Sequence, residues 1–127
     1  MAHGDDWVGP VDRLFEILEF LKTHDIKYWP SIRAHQINDE VARELKQLGV
    51  EHLSVGIETA SPRMLRLVDK GNDLDDLIQC VESLAKYELW PLLYYITGFP
   101  TETQVEINQT LDFMDWAHKQ FRGRVTQ

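Results

Sequence analysis

The sequence predicts an α/β protein built on a parallel sheet, and two observations carry that prediction. Segments with apolar residues at helical spacing alternate with short runs rich in branched and aromatic residues, in the order helix, strand, helix, strand, helices, strand, helix. The last of the strand-like runs, residues 92–96, is almost continuously apolar, the pattern of a parallel strand covered on both faces. Strict alternation of this kind implies right-handed crossovers between neighbouring parallel strands.

The first residues are polar. Pro10 then stands where a first helical turn tolerates it, and Val11, Leu14, Phe15, Leu18 and Leu21 repeat at helical spacing as far as Thr23. Residues 28–34 read as a strand with Pro30 near its start. Asn38 can cap the next helix, whose face is Val41, Leu45 and Leu48, and Gly49 supplies the left-handed residue that ends it. Residues 52–58 follow as a strand in which Leu53, Val55 and Ile57 alternate with Ser54 and Gly56, small residues suited to close approach by a ligand or a neighbouring element.

Ser61-Pro62 starts a short helix carrying Met64, Leu65 and Val68. Asp73 caps a longer one with the apolar stripe Leu74, Leu77, Ile78, Val81, Leu84 and Ala85. After the strand at 92–96, Gly98-Phe99-Pro100 turns the chain. Thr103 followed by Glu106 matches a capping box, and Ile107, Leu111 and Met114, with Phe113 or Ala117, are expected on the buried face of the last helix. Residues 124–126 can begin a further strand.

At 127 residues the chain is expected to form one domain over 1–127, since a domain takes about 100–200 residues. An apolar fraction of 43% is enough for a folded core. A formal charge of −8 argues against a broad grip on nucleic acid. No apolar run approaches the roughly 20 residues of a membrane helix, and the start lacks the features of a signal peptide, so a cytoplasmic location without membrane contact is expected. Cys80 is the only cysteine, which excludes an intrachain disulfide and any cysteine-based cluster or zinc site made by this chain alone. It lies on an apolar helical stripe and reads as a small buried hydrophobe.

Ligands of parallel sheets collect at the carboxyl ends of the strands. Three such ends can be named: Arg33 and His35; Glu58-Thr59; and Tyr94, Tyr95, Thr97 with the Gly98 turn. Glu58 could accept hydrogen bonds from ligand hydroxyls or amines, cap the amides of residues 59–64, or pair with Arg33. Arg33 offers a fixed fork of donors to a carboxylate, with the pair to Glu58 as its structural alternative. Lys70, in a Lys-Gly-Asn loop, could reach an anionic ligand or stand as an exposed surface charge. The histidines show no metal-binding spacing, and no phosphate loop, nucleophile elbow or Cys-His pair is present, so neither catalytic nor metal-ligating residues are assigned.

The succession Ser31-Ile32-Arg33-Ala34, Leu48-Gly49, His52-Leu53-Ser54-Val55-Gly56-Ile57-Glu58-Thr59, Val68-Asp69-Lys70-Gly71 and Ile96-Thr97-Gly98-Phe99-Pro100-Thr101-Glu102-Thr103 closely resembles the radical S-adenosylmethionine (SAM) superfamily, in the branch with cobalamin-binding and methylthiotransferase-like members. Asp5-Asp6-Trp7 resembles a stretch found just after the second barrel strand in that branch. The match runs over residues 4–120, and its specificity rests on order and spacing; a lone Gly-Phe-Pro would be weak.

The resemblance implies a partial (β/α) barrel with parallel strands, half TIM-barrel-like, with three or four strands and four to six helices. It implies SAM as ligand, an iron-sulfur cluster and a cobalamin in the parent enzyme, and an unknown substrate. By the same resemblance Arg33 helps hold SAM, Glu58 lies at its ribose and methionine side, Lys70 meets its carboxylate, Tyr94 falls near the sugar, and residues 96–100, including Ile96 and Gly98, line the adenine pocket. The family's C-x3-C-x2-C loop and its second strand are absent from the sequence, so the chain is expected to be a middle fragment of an oxidoreductase or transferase and inert alone. The alternative is a cluster-less stand-alone binding module. A different barrel enzyme of aldolase type is disfavoured by the lack of a strand-end Schiff-base lysine. A full barrel needs about 250 residues, so open strand edges and homo-oligomerisation are also expected.

Overall fold

The computed structural model describes residues 2–7, 9–69 and 71–122. Within them the elements run β1 (Ala2–Trp7), α1 (Val11–Thr23), β2 (Tyr28–Arg33), a 3-10 turn (Ala34–Gln36), α2 (Asp39–Gln47), β3 (His52–Glu58), α3 (Pro62–Val68), α4 (Leu74–Lys86), β4 (Trp90–Tyr95) and α5 (Gln104–Arg122). Among the described residues these strands make one sheet in the order β1-β2-β3-β4, with every pairing parallel. Because each strand is laid beside its predecessor in the same direction, right-handed crossovers bring the connecting helices to one face of the sheet. Such an α/β open sheet is part of a barrel-like arrangement.

Capping chemistry sets the helix boundaries as expected. Asn38 accepts from the Val41 amide, Ser61 caps α3 with Pro62 at its first position, and Asp73 and Asp76 form a reciprocal capping box at α4. Gly49, at φ 84°, ends α2 in the conformation that a side chain would strain. Beneath the helices, Ile32, Leu53, Val55 and Ile57 of the sheet meet Leu14, Leu18, Ala42, Leu45, Leu77, Val81 and Leu84 in one core. Cys80 lies fully buried among them, and burial pushes its thiol pKa up.

Last-turn lysines tie neighbouring helices together at the amino-terminal side of the strands. Lys22 donates to the Gln47 carbonyl at 2.9 Å and Lys46 to the Glu88 carbonyl at 3.3 Å, each meeting the negative end of an adjacent helix region. Lys86 reaches back to Asp39 at 2.6 Å, where Tyr87 also donates at 3.0 Å.

Three expectations are corrected. The polar start is β1, and Asp5-Asp6-Trp7 belongs to that strand rather than following an absent one. Its composition carries no strand signal; pairing with the backbone of β2 supplies what propensity lacks. Residues 124–126 lie outside the described residues. Second, β4 is not covered on both faces: Trp90, Leu92 and Tyr94 are exposed while Pro91, Leu93 and Tyr95 are half-buried, the alternation of a strand with one face bare.

Third, α5 buries Glu106, Thr110, Phe113 and Ala117, leaving Leu111 and Met114 exposed. Polar bonds to the start of α3 decide that rotation. Thr110 Oγ1 accepts the buried Ala60 amide at 3.0 Å and lies 3.2 Å from Thr59 Oγ1, so turning the helix toward its more apolar stripe would orphan a buried donor.

Candidate functional site

Register places two of the sequence-selected residues, Arg33 and Tyr94, on one side of the sheet. Arg33 of β2 pairs with Gly56 of β3, and Gly56 pairs with Tyr94 of β4, so the three form a row near the carboxyl ends of the strands. Alternation along β3 points Leu53, Val55 and Ile57 into the helix-covered core, and therefore Gly56 and its row partners to the opposite, open face. Tyr94 is 51% exposed there, and Arg33 is half-buried with its Nε sequestered and without a hydrogen-bond partner among the described residues. A buried guanidinium nitrogen left unbonded is costly unless something else accepts from it.

Glu58 closes β3 in an unusual backbone state. The pairing slips between Gly56, opposite Tyr94, and Glu58, opposite Tyr95, which leaves one extra residue on β3. Glu58 has φ 67°, and the Thr59 amide donates to the Ile57 carbonyl at 2.8 Å across it, a γ-turn with the sign of φ that strains an L-residue. The residue is 7% exposed and its side chain folds back over Gly56: a Cβ added to Gly56 would stand 2.7 Å from Glu58 Oε1.

Among the described residues, neither the expected cap nor the pair with Arg33 is formed by this carboxylate. The amides of Thr59, Ala60, Ser61 and Met64 go to Ile57 O, Thr110 Oγ1, Thr59 Oγ1 and Ser61 Oγ, so Glu58 is not their cap. Among the ion pairs of the described residues, none joins Arg33 to Glu58.

The Gly98 turn is attached to the same point. The Ile96 amide donates to the Glu58 carbonyl at 2.8 Å, bringing Ile96 beside the strained turn. Gly98, at φ 90°, donates its amide to Glu102 Oε1 at 2.7 Å, and the Glu102 amide returns to the Phe99 carbonyl at 3.0 Å.

Arg63, at the start of α3, holds the far side of this turn. Its guanidinium is bidentate to Glu106, and it also reaches Thr101 Oγ1 at 3.1 Å and the Thr101 carbonyl at 2.6 Å. Glu106 in turn accepts from the Thr103 amide at 2.7 Å. The Arg63 guanidinium, with help from that amide, holds the Glu106 carboxyl down to about 2. The Thr103 to Glu106 capping box was legible in the sequence. Arg63 was not, because nothing local marks a partner 43 positions away.

Beyond α3, Asn72 Oδ1 accepts from the His35 amide at 2.9 Å and lies 3.1 Å from His35 Nδ1. This ties the loop after α3 to the end of β2. Lys70 lies outside the described residues. The site thus brings together Arg33, Glu58, Tyr94 and Ile96, with Gly98 two residues further along the attached turn.

A separate cleft of about 340 Å³ opens at the opposite end of the strands, lined by residues such as Leu18, Ile26, Trp29, Val50 and His52. It is remote from the carboxyl ends of the strands, where parallel sheets place ligands. Among the described residues no group of three or more His, Cys, Asp or Glu could hold a metal ion, and no helix is long and apolar enough to cross a membrane.

Helices on one face of a sequentially ordered parallel sheet, with Arg33 and Tyr94 near the strand ends on the other, define a barrel-type α/β unit. The radical SAM superfamily pattern matches residues 7–114, and the chain belongs to that superfamily. It is 37% identical over 89 residues to an uncharacterised methyltransferase of Pyrococcus horikoshii, covering 70% of this chain and 19% of that protein. It is 28% identical over 101 residues to the bacteriochlorophyllide d C-12(1)-methyltransferase of Chlorobaculum tepidum, covering 78% and 22% respectively.

Among solved structures, coproporphyrinogen III oxidase (HemN) from Escherichia coli, described as a radical SAM enzyme, superposes with a TM-score of 0.66 at 17% identity. The superposition covers 86% of this chain and 26% of that one, and it shows a shared fold. The chain thus spans about a fifth of the length of these curated relatives.

Proposed function

We propose that this chain supplies the SAM-holding side of a radical SAM methyltransferase or related enzyme and is catalytically inert alone. The row of Arg33, Gly56 and Tyr94 with Glu58 folded over its centre carries this reading. The guanidinium fork of Arg33, on the open face beside Gly56, suits a carboxylate such as that of the methionine moiety. Glu58 can accept from the ribose hydroxyls or the amine, and Tyr94 lies along the sugar. The attached segment from Ile96 to Gly98 borders the adenine, and Lys70 is assigned to the ligand carboxylate.

An iron-sulfur cluster would supply the electron that cleaves SAM, and clusters are held by several cysteine thiolates. The residues of this chain do not fit one, since its single thiol, Cys80, is buried in the helix-side core. Inertness of the isolated chain follows. Methyl transfer in the parent is supported by the methyltransferases among the relatives, and a cobalamin in the parent belongs to the same reading through the sequence resemblance to the cobalamin-binding branch. The parent's substrate would complete the open face, and a cytoplasmic location accompanies this reading.

Calorimetric titration of the chain with SAM tests the proposal, alongside an Arg33→Ala, Glu58→Ala double variant. Weak binding that disappears in the variant is expected. Heat signals that are absent from both, or equal in both, would overturn it.

A further inference from the structure

We infer that Gly56 is a positioning residue: the missing side chain is what allows the Glu58 carboxylate to lie back over the sheet between Arg33 and Tyr94. The inference deepens the SAM-site reading and rests on it for the ligand, while its steric part stands on geometry alone. Three observations carry it.

Gly56 needs no special backbone freedom, because it is not among the residues with positive φ. Backbone conformation therefore does not explain its identity. A Cβ there would stand 2.7 Å from Glu58 Oε1 and 3.6 Å from Glu58 Cδ, and among the described residues beyond its chain neighbours only Glu58 comes within 4 Å. The excluded volume is thus the carboxylate's own seat.

The seat also has little freedom to shift. Glu58 is held by a γ-turn at φ 67°, its carbonyl accepts the Ile96 amide, and the residue is 7% exposed. A methyl group at Gly56 would therefore have to lift the carboxylate away from the row or break the turn that joins β3 to β4. Because Arg33 and Tyr94 flank Gly56 in register, lifting it changes where an acceptor stands relative to both. Side chain, strained turn and row partners then act as one unit.

A double-mutant cycle in SAM affinity tests this, using Gly56→Ala, Glu58→Ala and the pair, with the Glu58 carboxyl carbon followed by NMR in the first variant and in the unaltered chain. Where the chain binds SAM, Gly56→Ala should weaken binding by about tenfold, the scale of one charged hydrogen bond, yet change it less than about twofold once Glu58 is alanine. Equal losses in both backgrounds, or none in either, would show that Gly56 does not act through Glu58. Where the chain does not bind SAM, the ligand reading fails by itself and the resonance still decides the steric claim. A shifted Glu58 carboxyl signal in a folded Gly56→Ala chain supports the seat, and an unmoved one refutes it.

Discussion

Glu106 shows how one side chain couples the start of α5 to the turn that carries the candidate site. Its carboxylate receives both arms of Arg63 and the Thr103 amide, and these hold its pKa at about 2 against an ordinary 4.5. A carboxyl group depressed by folding contributes stability that is complete above the unfolded value and is lost as pH falls from about 4.5 toward about 2. Urea midpoints measured from pH 6 to pH 3 should fall for the unaltered chain, whereas Glu106→Gln should start lower and decline less steeply. Thr110 offers a neutral comparison. Its hydroxyl accepts the buried Ala60 amide, so Thr110→Val should cost about 1–3 kcal/mol by leaving that donor unpaired, a loss readable from equilibrium denaturation.

The elements divide into those specified locally and those specified by their neighbours. α2 begins at Asn38 because the side chain accepts the Val41 amide, and Asn38→Ala should cost about 1 kcal/mol with no change in denaturant slope. β3 was legible to the residue, since Leu53, Val55 and Ile57 alternate with small residues and a charge ends the run. β1 was not, because Ala2–Trp7 has no strand-forming pattern and is ordered by the edge of β2. The rotation of α5 was likewise hidden. Counting apolar residues favours Leu111 and Met114 for burial, but the bonds from Thr110 and Glu106 to residues of the α3 start outweigh that preference.

At the scale of the whole molecule, the sheet has its helices on one side and a bare strip along β4 on the other, where Trp90, Leu92, Tyr94 and Ile96 are each between 42% and 51% exposed. β4 is also an edge strand, and an exposed apolar edge favours association with further strands. Concentration-dependent self-association is expected, visible by size-exclusion chromatography with light scattering, and Leu92→Lys should reduce it; a clean monomer at high concentration would refute the expectation. Alternating periodicity, caps and strand-end polar residues already specified the α/β class, nearly all the elements and the identity of Arg33, Glu58 and Tyr94 as candidates, because those signals act within a few residues along the chain; Ile96 was added by the family resemblance. Their meeting in one row, the folding of Glu58 over Gly56, the grip of Arg63 on the Gly98 turn and the bare face of β4 were decided only in three dimensions. Each depends on pairing register or on contacts between residues tens of positions apart, for which the linear pattern holds no local record.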